Sequence, residues 1–203
     1  MSSKPILEVE KLNVRYQTKD GEIHAVEDVS FKVFSNEVFG IAGESGCGKS
    51  TLIKAIMRLL PENAKMDAHL IKFKDQKIDR MSENIFRKEV LWTQISLVPQ
   101  SAMNSLNPVY KVGEQIVEAI QAHTSQGKKE ARERVEELFD VVGLQSEFMD
   151  SFPHEFSGGM RQRAMIAMAL ALDPGLIVMD EPTTGLDVLV QEKILRRIRE
   201  IRK

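Results

Sequence analysis

The sequence predicts an α/β fold in which a helical segment interrupts two parts that mix strands and helices. Three observations predict it. Apolar residues alternate along the first part of the chain, helical spacing dominates between 112 and 172, and short apolar runs that end in turn residues flank the helical segment. The 203 residues, 42% of them apolar, suffice for one large domain or for a domain with an inserted subdomain.

The first part of the chain predicts mostly β structure. Alternation at 12–16 and again at 29–33 predicts two strands, and the turn residues at 19–21 lie between them. The run EVFGIA at 37–42 predicts a buried strand that ends at a glycine. Helical spacing at 49–60 then predicts a helix that Pro61 stops.

Three short strands and several helices are predicted in the remainder. The strands lie at 69–74 and 95–98, and a third, at 176–179, follows the helical segment. Within that segment, the polar stretch at 125–129 separates two helices, and Asp173-Pro174 ends a third at 160–172. The second of these helices has an apolar face made of Val135, Leu138, Phe139 and Val142. A last helix is predicted from an apolar stripe made of Val190, Ile194, Ile198 and Ile201.

Charge and cysteine usage exclude several classes of function. Lys and Arg number 28 against 30 Asp and Glu, so the chain lacks the basic excess of a sequence-independent nucleic-acid binder. The single cysteine, Cys47, cannot form an internal disulfide and fits a reducing compartment. The longest apolar run, at 165–172, is far shorter than the ~20 residues of a membrane span, and no signal peptide is recognisable. We therefore expect a cytoplasmic chain whose membrane contact is through a partner.

A glycine-rich loop at 43–51, GESGCGKST, predicts a nucleoside triphosphate site with magnesium. Its glycines allow backbone N–H groups to face phosphate oxygens, and the following helix adds its positive dipole end. Lys49 is expected to reach the β- and γ-phosphates, Ser50 to bind Mg²⁺ and Thr51 to contact the α-phosphate. The predicted nucleotide-binding residues of this phosphate loop are Gly43, Glu44, Ser45, Gly46, Cys47, Gly48, Lys49, Ser50 and Thr51.

Two alternatives accompany this loop. An ordinary strand-to-helix turn rich in Gly and Ser is disfavoured, because the full motif occurs between a predicted strand and a predicted helix. Cys47 has the position of a redox-sensitive thiol at a helix N-terminus. We favour instead a small residue at a variable loop position.

Two carboxylates, Asp180 and Glu181, follow the strand predicted at 176–179. A carboxylate at the end of a strand can hold Mg²⁺ through water beside the phosphates, and Asp180 fits that role. Glu181 is placed to accept a proton from an attacking water or to orient it. A solvated Asp-Glu pair is the alternative, and the phosphate loop upstream disfavours it.

A second anion-binding turn, FSGGM at 156–160, opens the helix predicted at 160–172. Ser157, Gly158 and Gly159 offer a hydroxyl and backbone N–H groups to an anion. The phosphate loop already provides one such site. A second site in the same chain therefore makes sense if it serves the nucleotide of another subunit.

The phosphate loop and the FSGGM turn together resemble the ATPase subunit of ATP-binding cassette (ABC) transporters, whose signature is usually written LSGGQ. The resemblance implies a P-loop NTPase core of ABC ATPase type with an N-terminal antiparallel β subdomain and an inserted helical subdomain. It divides the chain into core residues 1–100, a helical subdomain at 101–172 and core residues 173–203. It implies ATP and Mg²⁺ as cofactors, and a pair of subunits that sandwich two ATP molecules.

The same resemblance assigns individual roles. Gln100 is similar to the glutamine that senses Mg²⁺ and water, and Asp187 to a residue that contacts the other subunit. Tyr16 is similar to the aromatic residue that stacks on adenine, although a core tyrosine of a strand is the alternative. The residues assigned to catalysis are Glu181, Lys49 and Gln100, and those assigned to the metal are Ser50, Gln100 and Asp180.

Two stretches narrow the resemblance. SLNPVYKVGEQI at 105–116 and EPTTGLDVLVQ at 181–191 are similar to the importers of oligopeptides, dipeptides and nickel. Ser101-Ala102 departs from the Asp-Pro that is common in that branch. The implied partners are a second ATPase subunit, identical or related, membrane permeases and, indirectly, an extracytoplasmic solute-binding protein, with no nucleic acid. The implied location is the cytoplasmic face of the membrane, as a peripheral protein.

The family also carries a switch histidine on a strand beyond the last predicted helix, and none of the four histidines here occupies that position. We therefore expect a C-terminally truncated fragment that hydrolyses ATP poorly or not at all. A soluble ABC protein of DNA repair, chromosome structure or translation is the alternative function. The stretch between Lys49 and Ser157 has no heptads and no zinc-spaced cysteines, which favours transport.

Overall fold

The structure is a computed structural model, and it describes residues 4–100, 105–182 and 192. The chain divides into two compact units, Met1–Phe86 and Arg87–Lys203. Met1–Phe86 is the first unit and Arg87–Lys203 is the second unit.

A long β-hairpin dominates the first unit. Strands β1 (Pro5–Thr18) and β2 (Gly21–Phe34) pair antiparallel, and the turn between them lies where Lys19, Asp20 and Gly21 predict it. Alternate residues of β1, such as Leu12 and Val14, are fully buried. The predicted strands at 12–16 and 29–33 are thus confirmed, as parts of longer strands.

Three short strands complete this sheet, whose order is β2-β1-β4-β5 with β3 also paired to β1. Strand β3 (Ala64–Asp67) pairs antiparallel with β1, β4 (Leu70–Phe73) pairs with β1 further along, and β5 (Gln76–Lys77) pairs with β4. Strand β4 confirms the prediction at 69–74. We did not predict β3 and β5, because strands this short carry little periodic signal.

Helix α1 (Lys49–Ile56) follows the phosphate loop and ends earlier than predicted. Arg58 adopts a left-handed conformation (φ 53°), and the N–H of Leu59 donates to the carbonyl of Lys54 at 2.8 Å. This closing pattern normally uses glycine. Here the Arg58 guanidinium lies 4.5 Å from the centroid of the Phe86 ring and donates to the carbonyls of Ile78 and Met81. The helix thus ends at Ile56, before the predicted end at 60, and these contacts hold the residue that closes it.

The predicted buried strand at 37–42 is wrong. No regular secondary structure is assigned from 37 to 44, and Val38, Phe39 and Ile41 are 62%, 44% and 43% exposed. A buried strand needs paired neighbours, and the described sheet of the first unit pairs with none of these residues. Phe39 instead stacks on Phe31 of β2, with ring centroids 5.2 Å apart.

Two parallel strands form the sheet described in the second unit. β6 (Ile95–Val98) and β7 (Leu176–Met179) pair from Ile95↔Leu176 to Val98↔Met179. Both strands have the predicted bounds. The N–H of Asp180 donates to the carbonyl of Val98 at 3.0 Å, so the ladder continues past the end of β7.

Three helices lie between β6 and β7 in the sequence, and their buried faces form the hydrophobic core of the second unit. They are α3 (Val112–His123), α4 (Lys128–Val142) and α5 (Gly158–Leu170), joined by short 3-10 turns at Ser146–Asp150 and Pro153–Glu155. The predicted helices are confirmed, and so is the buried face of Val135, Leu138, Phe139 and Val142. A further helix, α2 (Glu83–Glu89), begins in the first unit and was not predicted. The last predicted helix and Asp187 lie outside the described residues.

Candidate functional site

Glycine conformations shape the phosphate loop. Gly46 and Gly48 have positive φ angles of 81° and 95°. A Cβ atom added to Gly48 would lie 2.2 Å from the carbonyl oxygen of Ala25, whereas one added to Gly46 would meet nothing within 4 Å. Position 48 therefore requires glycine for both its conformation and its surroundings.

The N-terminus of α1 offers free hydrogen-bond donors. The first helical bond runs from the N–H of Leu52 to the carbonyl of Gly48 at 2.8 Å. The N–H groups of Lys49, Ser50 and Thr51 precede that bond and have no helical acceptor. No acidic residue occupies the first turn, so the positive end of the helix dipole is not neutralised locally. This donor set fits a phosphate anion.

Lys49 closes the loop on itself. Its Nζ donates to the carbonyls of Gly43 at 2.9 Å and Glu44 at 2.7 Å, and it lies 3.8 Å from Sγ of Cys47. Cys47 is exposed and is a free thiol. An ammonium held by two neutral carbonyls can exchange them for anionic oxygens, which bind it more strongly.

Tyr16 lies beside the phosphate loop. Its hydroxyl is 3.2 Å from the Thr51 hydroxyl, and its side chain is half-buried at the end of β1 that pairs with β3. This contact places an aromatic ring next to the first turn of α1. The stacking of that ring on adenine stays a prediction.

The ends of β6 and β7 bring Gln100 and Glu181 together. Val98 pairs with Met179, so Gln100 and Glu181 each lie two residues beyond an in-register pair. Nε2 of Gln100 donates to Oε2 of Glu181 at 2.7 Å. Glu181 has a φ angle of 47°, an uncommon conformation for a residue with a side chain. Strain of this kind persists where the surroundings hold it and occurs often at functional sites.

Asp180 precedes Glu181 and is only 8% exposed. Among the described residues, no group of three or more His, Cys, Asp or Glu side chains could form a metal site by itself. Magnesium is commonly held by one or two carboxylates together with water and substrate phosphates. A single buried carboxylate at a strand end fits that kind of site.

The FSGGM turn, which we call the signature turn (156–160), opens α5. Ser157 is exposed and caps the helix, since its Oγ accepts the N–H of Met160 at 3.3 Å. Phe156 is buried and meets Phe148 edge-to-face, with ring centroids 5.7 Å apart. A helix opened by Ser157-Gly158-Gly159 is confirmed, but α5 begins at Gly158 and ends at Leu170, two residues earlier at each end than the predicted 160–172. The serine lies at the surface and the phenylalanine is buried.

Sequence reasoning missed two arginines that follow this turn. Arg161 and Arg163 lie on a helix that is otherwise mostly apolar, and both bind backbone carbonyls. Burial lowers the pKa of the Arg163 guanidinium from its ordinary value. Charged residues within an apolar helix were the signal that could have identified them.

Comparison with protein families settles the class of the chain. A model of the ABC transporter family matches residues 26–184, a range that includes the phosphate loop, Gln100, the signature turn and Glu181. The chain belongs to the ABC transporter family. The predicted membership of the ABC family is therefore confirmed.

Curated relatives of this ABC protein are peptide transport proteins. It is 42% identical over 201 residues to the dipeptide transport ATP-binding protein DppD of Bacillus subtilis, covering 98% of this chain and 60% of that protein. It is 41% identical over 201 residues to the oligopeptide transport ATP-binding protein OppD of Haemophilus influenzae, covering 98% and 62%. The chain thus spans about 60% of the length of these relatives.

Solved structures confirm the predicted ABC ATPase fold. The ATP-binding cassette MJ0796, in a dimeric post-hydrolysis state bound to ADP and Pi, matches with a TM-score of 0.84 and 26% identity, covering 97% of this chain and 83% of that one. CbiO1 from Clostridium perfringens matches with a TM-score of 0.78 and 28% identity, covering 98% and 74%. Within the described residues, no helix is both long and apolar enough to cross a membrane.

Proposed function

We propose that this chain binds ATP with magnesium and hydrolyses it to energise an importer of dipeptides or oligopeptides. The phosphate loop carries the ATP-binding part of the proposal, because it combines positive φ angles at Gly46 and Gly48, free N–H groups at the start of α1 and the Lys49 ammonium. The peptide class rests on relatives that are named dipeptide and oligopeptide transport ATP-binding proteins.

The proposed ATP site uses the nine residues of the phosphate loop. Lys49 exchanges the carbonyls of Gly43 and Glu44 for phosphate oxygens, while the N–H groups at the start of α1 bind further oxygens. Tyr16 holds the adenine ring. Magnesium, when bound, neutralises charge on the phosphate oxygens, and we assign Ser50, Asp180 and Gln100 to hold it.

Glu181 acts in this proposal as the base that accepts a proton from the attacking water. The Gln100 amide, 2.7 Å from the Glu181 carboxylate, fixes the orientation of that carboxylate. One oxygen of a carboxylate can keep this bond while the other accepts the proton, since each oxygen has its own lone pairs.

Ser157, Gly158 and Gly159 serve the nucleotide of a second subunit. The exposure of Ser157 supports this role, and the matching MJ0796 cassette is a dimer. The further proposed partners are membrane permeases and, through them, an extracytoplasmic solute-binding protein, with the ATPase at the cytoplasmic face of the membrane. The proposed functional division remains 1–100 and 173–203 for the core and 101–172 for the helical subdomain.

Titration calorimetry with ATP and magnesium tests the nucleotide site. We expect Lys49→Ala to weaken ATP affinity by about ten- to hundredfold, because it removes a charge-assisted contact to phosphate. Lys54→Ala is the matched control, since Lys54 is an exposed lysine of the same helix. Equal affinities for the two variants would contradict the proposed site.

Uptake of a labelled dipeptide tests the transport role. The chain is expressed in cells that lack their own ATPase subunit of a dipeptide importer but retain the permeases. Because the sequence predicts poor hydrolysis, we expect a low rate of uptake that depends on the chain and is lost with Glu181→Gln. Binding of ATP without restoration of uptake would overturn the peptide assignment and leave the nucleotide site intact.

A further inference from the structure

Arg163 connects the first turn of α5 to the end of α4. Its Nη1 donates to the carbonyl of Gly143 at 2.6 Å, and its Nε donates to the carbonyl of Gly159 at 3.3 Å. Gly143 follows α4 in a left-handed conformation, with φ 71°. A cation at this position interacts favourably with the negative end of the α4 dipole. One guanidinium thus ties a residue of the signature turn to a fixed helix end.

Arg161 holds the chain that leads into the signature turn. Its Nη1 donates to the carbonyl of Phe156 at 2.8 Å and lies 3.4 Å from the carbonyl of Pro153. Its Nε is buried and has no hydrogen-bond partner in the described part of the chain. The two arginines therefore fix backbone on both sides of Ser157.

Neither guanidinium forms an ion pair with a carboxylate among the described residues. Both arginine side chains are half-buried, so each guanidinium is partly desolvated without a compensating carboxylate. This cost offsets part of the stability that the hydrogen bonds to carbonyls contribute. The arrangement instead supplies geometry, because the planar fork of arginine can bind two acceptors at defined angles.

We propose that Arg163, assisted by Arg161, is a positioning residue that holds Ser157, Gly158 and Gly159 in the geometry needed to bind the nucleotide of the second subunit. This inference rests on the two-subunit arrangement proposed above. An anion site at a helix N-terminus depends on the direction of its N–H groups, and displacements near 1 Å weaken such sites strongly. The arginines act through the backbone and do not touch the nucleotide.

The test measures ATP-dependent dimerisation by analytical ultracentrifugation, in a Glu181→Gln background that prevents turnover. Arg163→Met removes both contacts, and Arg163→Lys keeps the charge but lacks the planar fork whose Nε and Nη1 reach the carbonyls of Gly159 and Gly143 separately. We expect both variants to weaken dimerisation by about ten- to hundredfold, the effect of losing charge-assisted hydrogen bonds. ATP binding by the phosphate loop of the same chain is expected to stay unchanged.

Arg134→Met is the matched control. Arg134 is a half-buried arginine of α4 that donates to Asp173 at 2.5 Å and to Glu137 at 3.0 Å. It therefore has comparable burial but no contact with the signature turn. We expect its removal to leave dimerisation within about twofold of the parent value.

Four results would overturn the inference. Dimerisation of Arg163→Met at the parent level would remove the positioning role. Dimerisation of Arg163→Lys at the parent level would show that charge alone matters. An equal loss of same-chain ATP binding would indicate a general structural role. Failure of the parent to dimerise while it binds ATP would contradict the proposed two-subunit arrangement itself, and the inference would fall with it.

Discussion

The phosphate loop and the signature turn both present the N-terminus of a helix, yet different forces hold their backbones. In the loop, Gly46 and Gly48 adopt positive φ angles and the Lys49 ammonium binds carbonyls of its own loop. In the signature turn, Phe156 is packed in the core and Arg163 ties the turn to Gly143 of another helix end. The hydrogen bonds of Lys49 stay within its own loop, although Gly48 also packs against Ala25 of β2, whereas the signature turn is tied to a different helix and to the core beneath it.

This difference has a functional meaning. The phosphate loop contacts β1 and β2 of the first unit, so we expect it to bind its nucleotide independently of the packing of α4 and α5. The signature turn adopts its backbone geometry only when the helical core beneath it is packed. Changes to that core are therefore expected to impair the site offered to a second subunit and to spare ATP binding by the same chain.

The largest expected effect tests the glycine conformation and the close contact that shape the phosphate loop. Gly48→Ala introduces a Cβ at 2.2 Å from the Ala25 carbonyl oxygen at a residue with φ 95°. We expect loss of detectable ATP binding and about 4 kcal/mol of stability, from conformational strain and overpacking together. Urea unfolding and titration calorimetry measure the two quantities.

Gly46→Ala is the control for this substitution. Gly46 also has a positive φ angle, 81°, but nothing lies within 4 Å of an added Cβ. It should cost only about 1 to 2 kcal/mol, the penalty of the left-handed conformation. Equal effects at the two positions would mean that contact with Ala25 does not shape the loop.

The next effect tests the packing beneath the signature turn. Phe156 is 3% exposed, so Phe156→Ala should cost about 3 kcal/mol in the free energy of unfolding. Phe39→Ala, at a ring that is 44% exposed and stacked on Phe31, should cost about 1 kcal/mol. At temperatures where Phe156→Ala is folded, its ATP affinity should equal that of the parent. A matching loss of ATP affinity would erase the distinction between the two regions.

Ser157 separates helix capping from anion binding. Ser157→Ala removes the acceptor for the Met160 N–H and should cost about 1 kcal/mol of stability. Ser157→Asp keeps a capping oxygen and should retain parental stability. Both variants should lose ATP-dependent dimerisation, the alanine by removing a hydroxyl and the aspartate by repelling phosphate. Dimerisation of Ser157→Asp at the parent level would contradict an anion site at this turn.

The smallest effect concerns a surface contact near the signature turn. Arg132, at 2.6 Å, together with Lys111, holds the pKa of the Asp150 carboxyl below its usual range. A depressed pKa stabilises the fold above the unfolded value of about 3.9, and this stabilisation disappears as pH falls through the lower folded value. Because the groups are exposed, Asp150→Asn should cost less than about 1 kcal/mol at pH 7.

Unfolding curves of the parent and Asp150→Asn should therefore converge as the pH is lowered below 3.9, the ordinary Asp value. In an Arg132→Met background, most of the difference at pH 7 should already be absent. A difference that persists at low pH would assign the effect of Asp150 to something other than its charge.

Motifs that are local in sequence were predicted well. The residues 43–51 indicated the loop because glycine and lysine positions determine its conformation, and the strand bounds at 95–98 and 176–179 agree with the structure. The in-register ladder then explains how Gln100 and Glu181, which are distant in sequence, come to share a hydrogen bond. Gln100 and Glu181 could be identified from the sequence, but their contact follows from the pairing of two parallel strands.

Features that depend on tertiary contacts were not predicted. The early end of α1 requires Arg58 to reach carbonyls of a distant segment, and the spacing of apolar residues contains no record of that contact. The apolar run at 37–42 predicts a strand by composition, but a strand also needs a neighbour with which to pair. Arg163 escaped notice because its partner, Gly143, becomes adjacent only after α4 and α5 pack.

The most direct test of the account is to complement two variants, each defective in a different region. At an ATP concentration that saturates the parent but not Lys49→Ala, that variant should bind little ATP, whereas Ser157→Asp should bind ATP but repel phosphate at its signature turn. Förster transfer between labelled chains should show no ATP-dependent association for either variant alone. An equal mixture should associate, since the phosphate loop of one chain can meet the signature turn of the other. Mixtures that associate no better than the separate variants would contradict a site completed by two chains.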